Sequence, residues 1–289
     1  MECQKSLLKP VPTRWNSLFD AIRRLLEFKD KLGIIFEIAE VQRLTAVEIE
    51  FLEDYVSAMK PVATALDKLQ SETDYYFGFY APTIYQTFRR LNGIITNSSG
   101  RRFTVPLAKA LKQGVLTRFK EICELDLNTS ASRHVILAAV THPYFKLRWL
   151  PQSSHDDVKK LLLDEAKSKG IQNSSSALTT EIAIRVDEGD SFFEFDSPQL
   201  SQVSNGEEKS LTELECLQYL NEESTELQSL NKYSTIKKLF IYYNTPLPTS
   251  APVERLFSYS GLVLGDRRGS LTDDNFEKLV FLKTNANSC

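Results

Sequence analysis

The chain has 289 residues, of which 42% are hydrophobic and 25% charged, a composition typical of a soluble globular protein. Its formal net charge of −3 argues against a surface coated with basic residues, so any contact with nucleic acid would have to be local. No run approaches the roughly 18 apolar residues of a membrane helix, the N-terminus lacks the apolar core of a secretory signal, and four scattered cysteines predict neither a zinc site nor a disulfide framework.

Charge is unevenly distributed along the chain. Residues 1–150 carry 21 Lys and Arg against 16 Asp and Glu, whereas residues 151–230 carry 6 against 17. Residues 231–289 return to 8 against 5. Two mildly basic regions therefore flank an acidic one.

Apolar spacing predicts helices through most of residues 1–169, which we expect to form a helical region. A first helix is predicted from about Asn16, with an apolar face formed by Leu18, Ile22, Leu25 and Leu26. A second helix is predicted after the capping box Thr45-x-x-Glu48 and is expected to kink or restart at Pro61. Further helices are predicted over 81–95, 105–123, 133–140 and from Ser154 or Asp156 to about residue 169.

The helical pattern disappears between residues 170 and 209, where polar, turn-forming and acidic residues predict a flexible acidic linker. Helical spacing returns at 211–220 and 236–243. Only short runs resemble strands, at Ile182–Val186 and Leu239–Tyr243, and the second run is equally compatible with a helix. The fold is therefore predicted to be mainly α.

The last 45 residues predict two short helices. The first helix is expected to begin at Ser250 as N-cap, with Pro252 in its first turn, and to end at Gly261; Thr272 is the predicted N-cap of the second. Together they carry an apolar face that is too wide for two helices to cover alone, so it must pack against the rest of the fold or against another chain. Its members are Leu256, Phe257, Phe276, Leu279, Val280 and Phe281.

Four stretches together resemble the C-terminal half of hAT-superfamily transposases, and most of all the domesticated relatives that carry an N-terminal BED zinc finger. They are TRWNS (13–17), HPYFKLRWL (142–150), PLPTSAPVERLFSYSG (246–261) and DRRGSLTDDNFEKLVFLKTN (266–285), in matching order and spacing over essentially the whole chain. The resemblance implies that residues 210–289 are the hAT dimerisation region. It also implies that residues from about 16 to 165 are mostly the all-helical insertion of an RNase H-like catalytic core, of which this chain holds an incomplete part.

The family cleaves and joins DNA with a D-D-E triad that binds two Mg²⁺-type ions. Glu254 matches the final glutamate, but the two aspartates would precede TRWNS, and none of the thirteen residues before Arg14 is Asp. The zinc-finger cysteines and histidines are also unmatched. One carboxylate cannot hold two divalent ions, so we expect no DNA cleavage and no cofactor, with Mg²⁺ relevant only if an upstream catalytic region completes the site.

Several residues allow a functional and a structural interpretation. Glu254 is a catalytic relic or an acid favoured at a helix N-terminus. Arg14 and Trp15 match the family's RW pair, whose Trp can stack on a flipped base, although a Trp beside a helix start more often packs in the core. Arg89, Arg90, Arg101 and Arg102 bracket a polar loop and could bind phosphates or form a solvated helix end. Arg255, Arg267 and Arg268 are expected to orient the terminal helices, and the three histidines are too dispersed to share a metal.

The leading hypothesis from the sequence is a catalytically incomplete interaction module that forms a homo-oligomer through its C-terminal helices. The family resemblance implies a nuclear location, with DNA as a further candidate partner. The alternatives are a fragment of an active DDE-type transposase and a DNA-binding protein that contacts phosphates without catalysis.

Overall fold

The computed structural model describes residues 6–11, 16–71, 76–97, 101–171, 205–264 and 271–285. Within these ranges the secondary structure is helical, and no strand is present. The predicted mainly α class is confirmed. The predicted strand run Leu239–Tyr243 is part of a helix, whereas Ile182–Val186 and most of the predicted linker 170–209 lie outside the described residues.

The α-helices of the described residues follow one another in this order: α1 (Ser17–Leu26), α2 (Leu32–Ile38), α3 (Ala46–Leu69), α4 (Tyr80–Asn97), α5 (Thr104–Arg118), α6 (Lys120–Cys123), α7 (Ser130–Thr141), α8 (His155–Ile171), α9 (Asn205–Asn221), α10 (Ser234–Asn244), α11 (Ala251–Val263) and α12 (Asp273–Asn285). Short 3₁₀ turns occupy Lys29–Lys31, Phe77–Phe79, Gln152–Ser154 and Leu227–Lys232. None of the helices described is long and apolar enough to cross a membrane.

The chain divides into two compact units. The first comprises residues 1–135 and 244–289, and the second comprises residues 136–243. The sequence-based division at 169 and 209 cuts the chain at other places and remains a prediction.

The first unit is built around α3, which packs against α1, α4 and α5. The capping box is confirmed: the Thr45 hydroxyl accepts from the Glu48 amide, and the Glu48 carboxylate accepts from the Thr45 amide. The restart considered at Pro61 is wrong, since α3 continues through this buried residue to Leu69. Packing on several sides can offset the roughly 3 kcal/mol that a proline costs inside a helix.

Two further expectations in this unit need correction. Leu18 was placed on the apolar face of α1 but is 51% exposed, and its neighbour Phe19 is the buried residue. The single helix predicted over 105–123 is two helices, because Phe119 leaves the helical conformation at φ −128° and ψ 36°. Hydrophobic periodicity could not reveal that break, since the apolar spacing continues across it.

The second unit holds the end of α7, the turn at 142–150, α8, α9 and α10. Its core contains fully buried side chains from each helix, including Val140, Leu162, Tyr219 and Leu239. The Tyr219 hydroxyl donates to the Val140 carbonyl at 3.0 Å. Glu215 on α9 accepts from the amide and hydroxyl of Thr235, at 2.7 and 2.8 Å, and thereby caps α10.

Candidate functional site

The helix α11 begins in the predicted region but with different capping. Ser250 occupies the N-cap position, but its hydroxyl accepts no amide hydrogen; instead the hydroxyl donates to the Glu254 carboxylate at 2.8 Å. The predicted cap interaction is therefore wrong, because a carboxylate one turn away offers the hydroxyl a charged acceptor. The predicted end at Gly261 is also wrong: the helix continues to Val263.

The helix α12 packs against α11 and separates its apolar residues onto two sides. Val280 is 9% exposed and Phe276 is half-buried, and the two lie one turn apart on the covered side. Phe281 and Leu282 are 65% and 63% exposed on the other side, and Leu279 is less exposed, at 37%. Only part of the predicted apolar face is thus used to hold the two helices together.

On α11 an apolar stripe also remains open to solvent. Val253, Leu256 and Phe257 of α11, and Leu264 directly after its last residue, follow i, i+3, i+4, i+11 spacing, which is typical of one face of a helix. All four are exposed, and Phe257 reaches 70%. We call the exposed apolar residues of the two helices the C-terminal apolar surface; its members are Val253, Leu256, Phe257, Leu264, Leu279, Phe281 and Leu282.

The opposite side of α11 is attached to the end of α3. The last carbonyls of a helix lack partners within the helix, and here two side chains from the C-terminal region supply them. The Arg255 guanidinium donates to the Gln70 carbonyl, and the Thr249 hydroxyl donates to the Leu69 carbonyl at 3.1 Å. Arg255 was expected to orient α11 relative to α12, but this hydrogen bond is to the end of α3.

A third attachment lies a few residues earlier. The buried Asn244 side chain accepts from the Gly78 amide at 2.7 Å, next to the start of α4. Asn244, Thr249 and Arg255 therefore hold the C-terminal region to the first unit at points spread over twelve residues of sequence. Sequence analysis missed Asn244 and Thr249 because their partners lie more than 160 positions away.

Glu254, the residue matching the last catalytic glutamate of the resembled family, is exposed in the first turn of α11. The Ser250 hydroxyl donates to its carboxylate. Among the described residues, no three His, Cys, Asp or Glu side chains are grouped closely enough to hold a metal ion. Arg14 and Trp15 lie outside the described residues, as do Arg267 and Arg268.

The four arginines that bracket the polar loop differ in their surroundings. The Arg101 guanidinium lies 3.5 Å from the carboxylate of Asp54, which is 3% exposed, and Arg102 lies over the Phe103 ring at 5.0 Å. Arg89 and Arg90 are exposed on α4. Of the four arginines predicted to contact DNA, Arg101 therefore forms an ion pair with a buried carboxylate.

Asp54 also caps α5 from α3, accepting from the amides of Phe103 at 2.8 Å and Thr104 at 3.1 Å. Burial on its own raises the pKa of Asp54, but the hydrogen bonds from Phe103 and Thr104 and the charge of Arg101 outweigh it, so the net shift is downward. The carboxylate is therefore ionised in the fold and orders the start of α5.

The HPYFKLRWL stretch forms a turn in the second unit in which His142, Lys146 and Leu147 are buried. Burial lowers the pKa of His142 to about 4, and its Nδ1 accepts from the Tyr144 amide at 3.2 Å. Lys146 is 3% exposed at φ 47°, donates to the Glu222 carbonyl just past the end of α9, and lies over the Tyr219 ring. A cation at the negative end of a helix is favourable, so this lysine ties the turn to α9.

A scan against protein-family models matches no family, and a search of curated proteins gives no significant match.

Proposed function

We propose that this chain is a self-association module whose C-terminal apolar surface pairs with the same surface of a second copy. The observation that carries the proposal is the exposure of large apolar side chains on adjoining helices, above all Phe257 at 70% and Phe281 at 65%. Isolated exposed hydrophobic residues need no explanation, but a contiguous patch marks a site of interaction.

The size of the surface suits a specific interface. With ordinary side-chain areas, the seven residues expose on the order of 600 Å² of apolar surface. Two facing copies would remove roughly 1,200 Å² from water, the lower end of the range for specific protein–protein interfaces. The affinity of an interface of this size is set by the packing of its central side chains and by preorganisation rather than by its area.

A second copy is the partner that the arrangement favours. A twofold pairing uses one patch twice, so it needs no complementary surface elsewhere. The surface is also held firmly, because Arg255 and Thr249 fix the other side of α11 to the end of α3. A preorganised surface binds with a smaller loss of conformational entropy than a mobile tail.

The resemblance to hAT-type transposases supports the proposal that this module derives from such a transposase. In this proposal α11 and α12 are the C-terminal helices of an incomplete RNase H-like core, the protein acts in the nucleus, and DNA is a further partner. Catalysis is not part of the proposal, since Glu254 is the one matched carboxylate and two-metal chemistry needs several.

A second candidate function is DNA cleavage by a longer protein of which this chain is a part. Its supporting observation is that Glu254 lies exposed in the first turn of α11, where its carboxylate is open to an incoming ion. It requires two further aspartates outside this sequence. Sequencing the transcript upstream of the codon for Met1 tests it: a continuous frame with two spaced aspartates and a Cys/His cluster supports cleavage, and its absence argues against it.

Sedimentation equilibrium of the purified chain tests self-association directly. We expect a dimer in the micromolar range and a monomer for the double variant Phe257→Glu, Phe281→Glu, because two charges would be buried in the interface. The matched control is Ile34→Glu, Ile38→Glu on α2, where the replaced side chains are 63% and 79% exposed. The control should remain a dimer.

Circular dichroism of both variants checks that they remain folded, which their exposed positions favour. The proposal would be contradicted by a wild-type chain that stays monomeric at about 100 µM. This concentration is well above the dissociation constant expected for an interface of this size, which we place at about 10 µM or below. Equal loss of the dimer in the two variants would also contradict it, since it would assign association to general hydrophobicity.

A further inference from the structure

The ends of α8 and α10 bring a cation, a carboxylate and two aromatic rings together in the second unit. On α8, Val158, Leu162 and Ala166 are fully buried at four-residue spacing. Glu165 and Lys169 are also four residues apart, on the flank of that buried face. Their charged groups lie 3.2 Å apart, and both side chains remain partly open to solvent.

The two rings belong to consecutive residues of α10. Ile236, Leu239 and Tyr243 follow i, i+3, i+7 spacing and form the buried face of this helix. Tyr242 points away from that face and is 57% exposed. The ring centres of Tyr242 and Tyr243 lie 4.9 Å apart with an angle of 81° between the ring planes. One buried and one exposed ring therefore form two nearly perpendicular walls.

The ammonium group of Lys169 lies between these walls. It is 2.9 Å from the centre of the Tyr242 ring and 4.8 Å from that of Tyr243. Both distances are within the range at which the negative face of an aromatic ring attracts a cation. We call Glu165, Tyr242 and Tyr243 the aromatic cage. Sequence analysis did not identify it, because Glu165 and Tyr243 are 78 positions apart.

The cage is held in place by contacts that do not involve Lys169. The Tyr243 hydroxyl donates to Oε1 of Glu165 at 2.5 Å, which fixes the carboxylate at the edge of the two rings. Burial, with the neighbouring Glu165 carboxylate, raises the pKa of Tyr243, so the hydroxyl stays protonated and remains the donor. The cage is therefore preorganised for a cation, which lowers the cost of binding one.

Lys169 is a replaceable occupant of this cage. Its pair with Glu165 is an i, i+4 pair on one helix and is partly exposed, and such pairs contribute little because two long side chains lose rotamer freedom. The Lys169 side chain is 30% exposed, so the ammonium group can exchange with the solvent. A cation that is held less strongly by water can then take its place.

We propose that the aromatic cage binds the trimethylammonium group of a methylated lysine side chain from another protein, and that Lys169 occupies the cage when this ligand is absent. Quaternary ammonium groups are recognised by cages of aromatic rings. A trimethylammonium group has no N–H donor, so it gives up no hydrogen bonds to water on entering, whereas the primary ammonium of lysine is strongly hydrated.

The present occupant favours a lysine derivative over other quaternary ammonium compounds. The cage already accepts the end of a lysine side chain, Lys169, which reaches it through an unbranched alkyl stem. The inference does not depend on self-association, because every residue of the cage belongs to the second unit and none lies on α11 or α12.

Ligand-observed NMR titration of the full chain tests the proposal. The probe is Nα-acetyl-Nε-trimethyl-lysine methyl amide, whose only charge is the quaternary ammonium group. Lys169→Ala should bind it more tightly than the wild type; if Lys169 fills the cage about nine-tenths of the time, the gain is roughly tenfold. The same probe without the three methyl groups should bind the variant distinctly more weakly.

Substitutions of Tyr242 in the Lys169→Ala chain test the exposed wall. Tyr242→Leu should weaken binding about fivefold, because one cation–π contact is lost, and Tyr242→Trp should restore or improve binding, since Trp is the best partner for a cation. The matched control is Tyr144→Leu, which removes an equally exposed ring, at 55%, from the same unit. It should leave the affinity unchanged. Circular dichroism checks that each variant is folded.

Each other outcome overturns the inference. Failure of the folded Lys169→Ala chain to bind the probe removes the cage as a site, and equal affinities of this variant and the wild type remove Lys169 as its occupant. Equal binding of the unmethylated probe would assign the contact to simple charge attraction. Equal losses in Tyr242→Leu and Tyr144→Leu would place binding elsewhere. Tighter binding of choline than of the probe would overturn the choice of ligand.

Discussion

Replacing Asp54 with alanine should destabilise the first unit by about 2 to 4 kcal/mol, because an unpaired buried amide costs about 1 to 3 kcal/mol and two amides lose their acceptor. Both amides, of Phe103 and Thr104, donate to the same oxygen, Oδ2, while Arg101 lies near Oδ1. Asp54→Asn can therefore keep an acceptor for the amides but sets its NH₂ group against the Arg101 guanidinium. We expect it to cost about half as much as alanine.

The same geometry fixes the pH dependence. The pKa of Asp54 is lower in the folded chain than its usual value near 3.9. Since a depressed pKa means that the unfolded chain binds more protons, the carboxylate contributes its full stability above about pH 4 and loses it as the pH falls through the folded pKa. The stability difference between wild type and Asp54→Ala should therefore narrow below pH 4.

Urea unfolding at neutral and acidic pH gives the free energies, and amide hydrogen exchange at Phe103 and Thr104 reports the cap locally. Glu53→Ala is the matched control, since this adjacent carboxylate forms an exposed ion pair with Lys29 at 2.6 Å and should contribute less than about 1 kcal/mol. Equal costs for the two alanine variants, or unchanged exchange at both amides, would refute the assignment of Asp54 as the cap of α5.

Three further predictions concern other parts of the chain. Arg255→Ala should weaken self-association about tenfold, the equivalent of 1.4 kcal/mol, and should speed amide hydrogen exchange in α11. Arg255→Lys should remain closer to wild type. An unchanged dimer affinity would show that the hydrogen bond to Gln70 does not position the surface. Because burial lowers the pKa of His142 to about 4, stability should fall as the pH drops from about 6.5 to about 4, and His142→Gln should flatten that dependence in urea titrations; an NMR titration of the ring with a midpoint above 6 would contradict it. Burial raises the pKa of the Cys123 thiol to about 11 and of the Cys216 thiol to about 12, so mass spectrometry after N-ethylmaleimide at pH 8 should find both unmodified until urea is added.

Local signals predicted the helices well because each depends on residues within a few positions. The capping box is an example, since Thr45 and Glu48 lie three residues apart and satisfy each other. The cap of α5 could not be predicted, because Asp54 and Phe103 are 49 positions apart and meet only when α3 packs against α5. At Pro61 the local signal gave a wrong prediction of a helix restart. Tertiary packing overrides the low helix propensity of proline, and a prediction from sequence alone does not include that packing.

Prediction of the candidate sites from sequence has the same limit. Spacing identified Phe276, Val280 and Phe281 as one apolar group, yet the fold covers the first two and exposes the third. A periodic pattern shows that a face exists but not which neighbour occupies it. Arg101 and Arg102 are likewise adjacent and equivalent in sequence, and only the position of Asp54 distinguishes them.

The end of α3 gives a physical reason to treat the C-terminal helices as part of the fold rather than as an appended tail. A helix end buried without partners for its carbonyls would be unstable, and the carbonyls of Leu69 and Gln70 find theirs in Thr249 and Arg255. Arg255 attaches one side of α11 to the end of α3, and Phe257 lies on the opposite side of the helix. Closer packing on the attached side would therefore leave Phe257 exposed. The surface that the described residues hold in place and leave exposed is therefore the one that the proposed self-association would use.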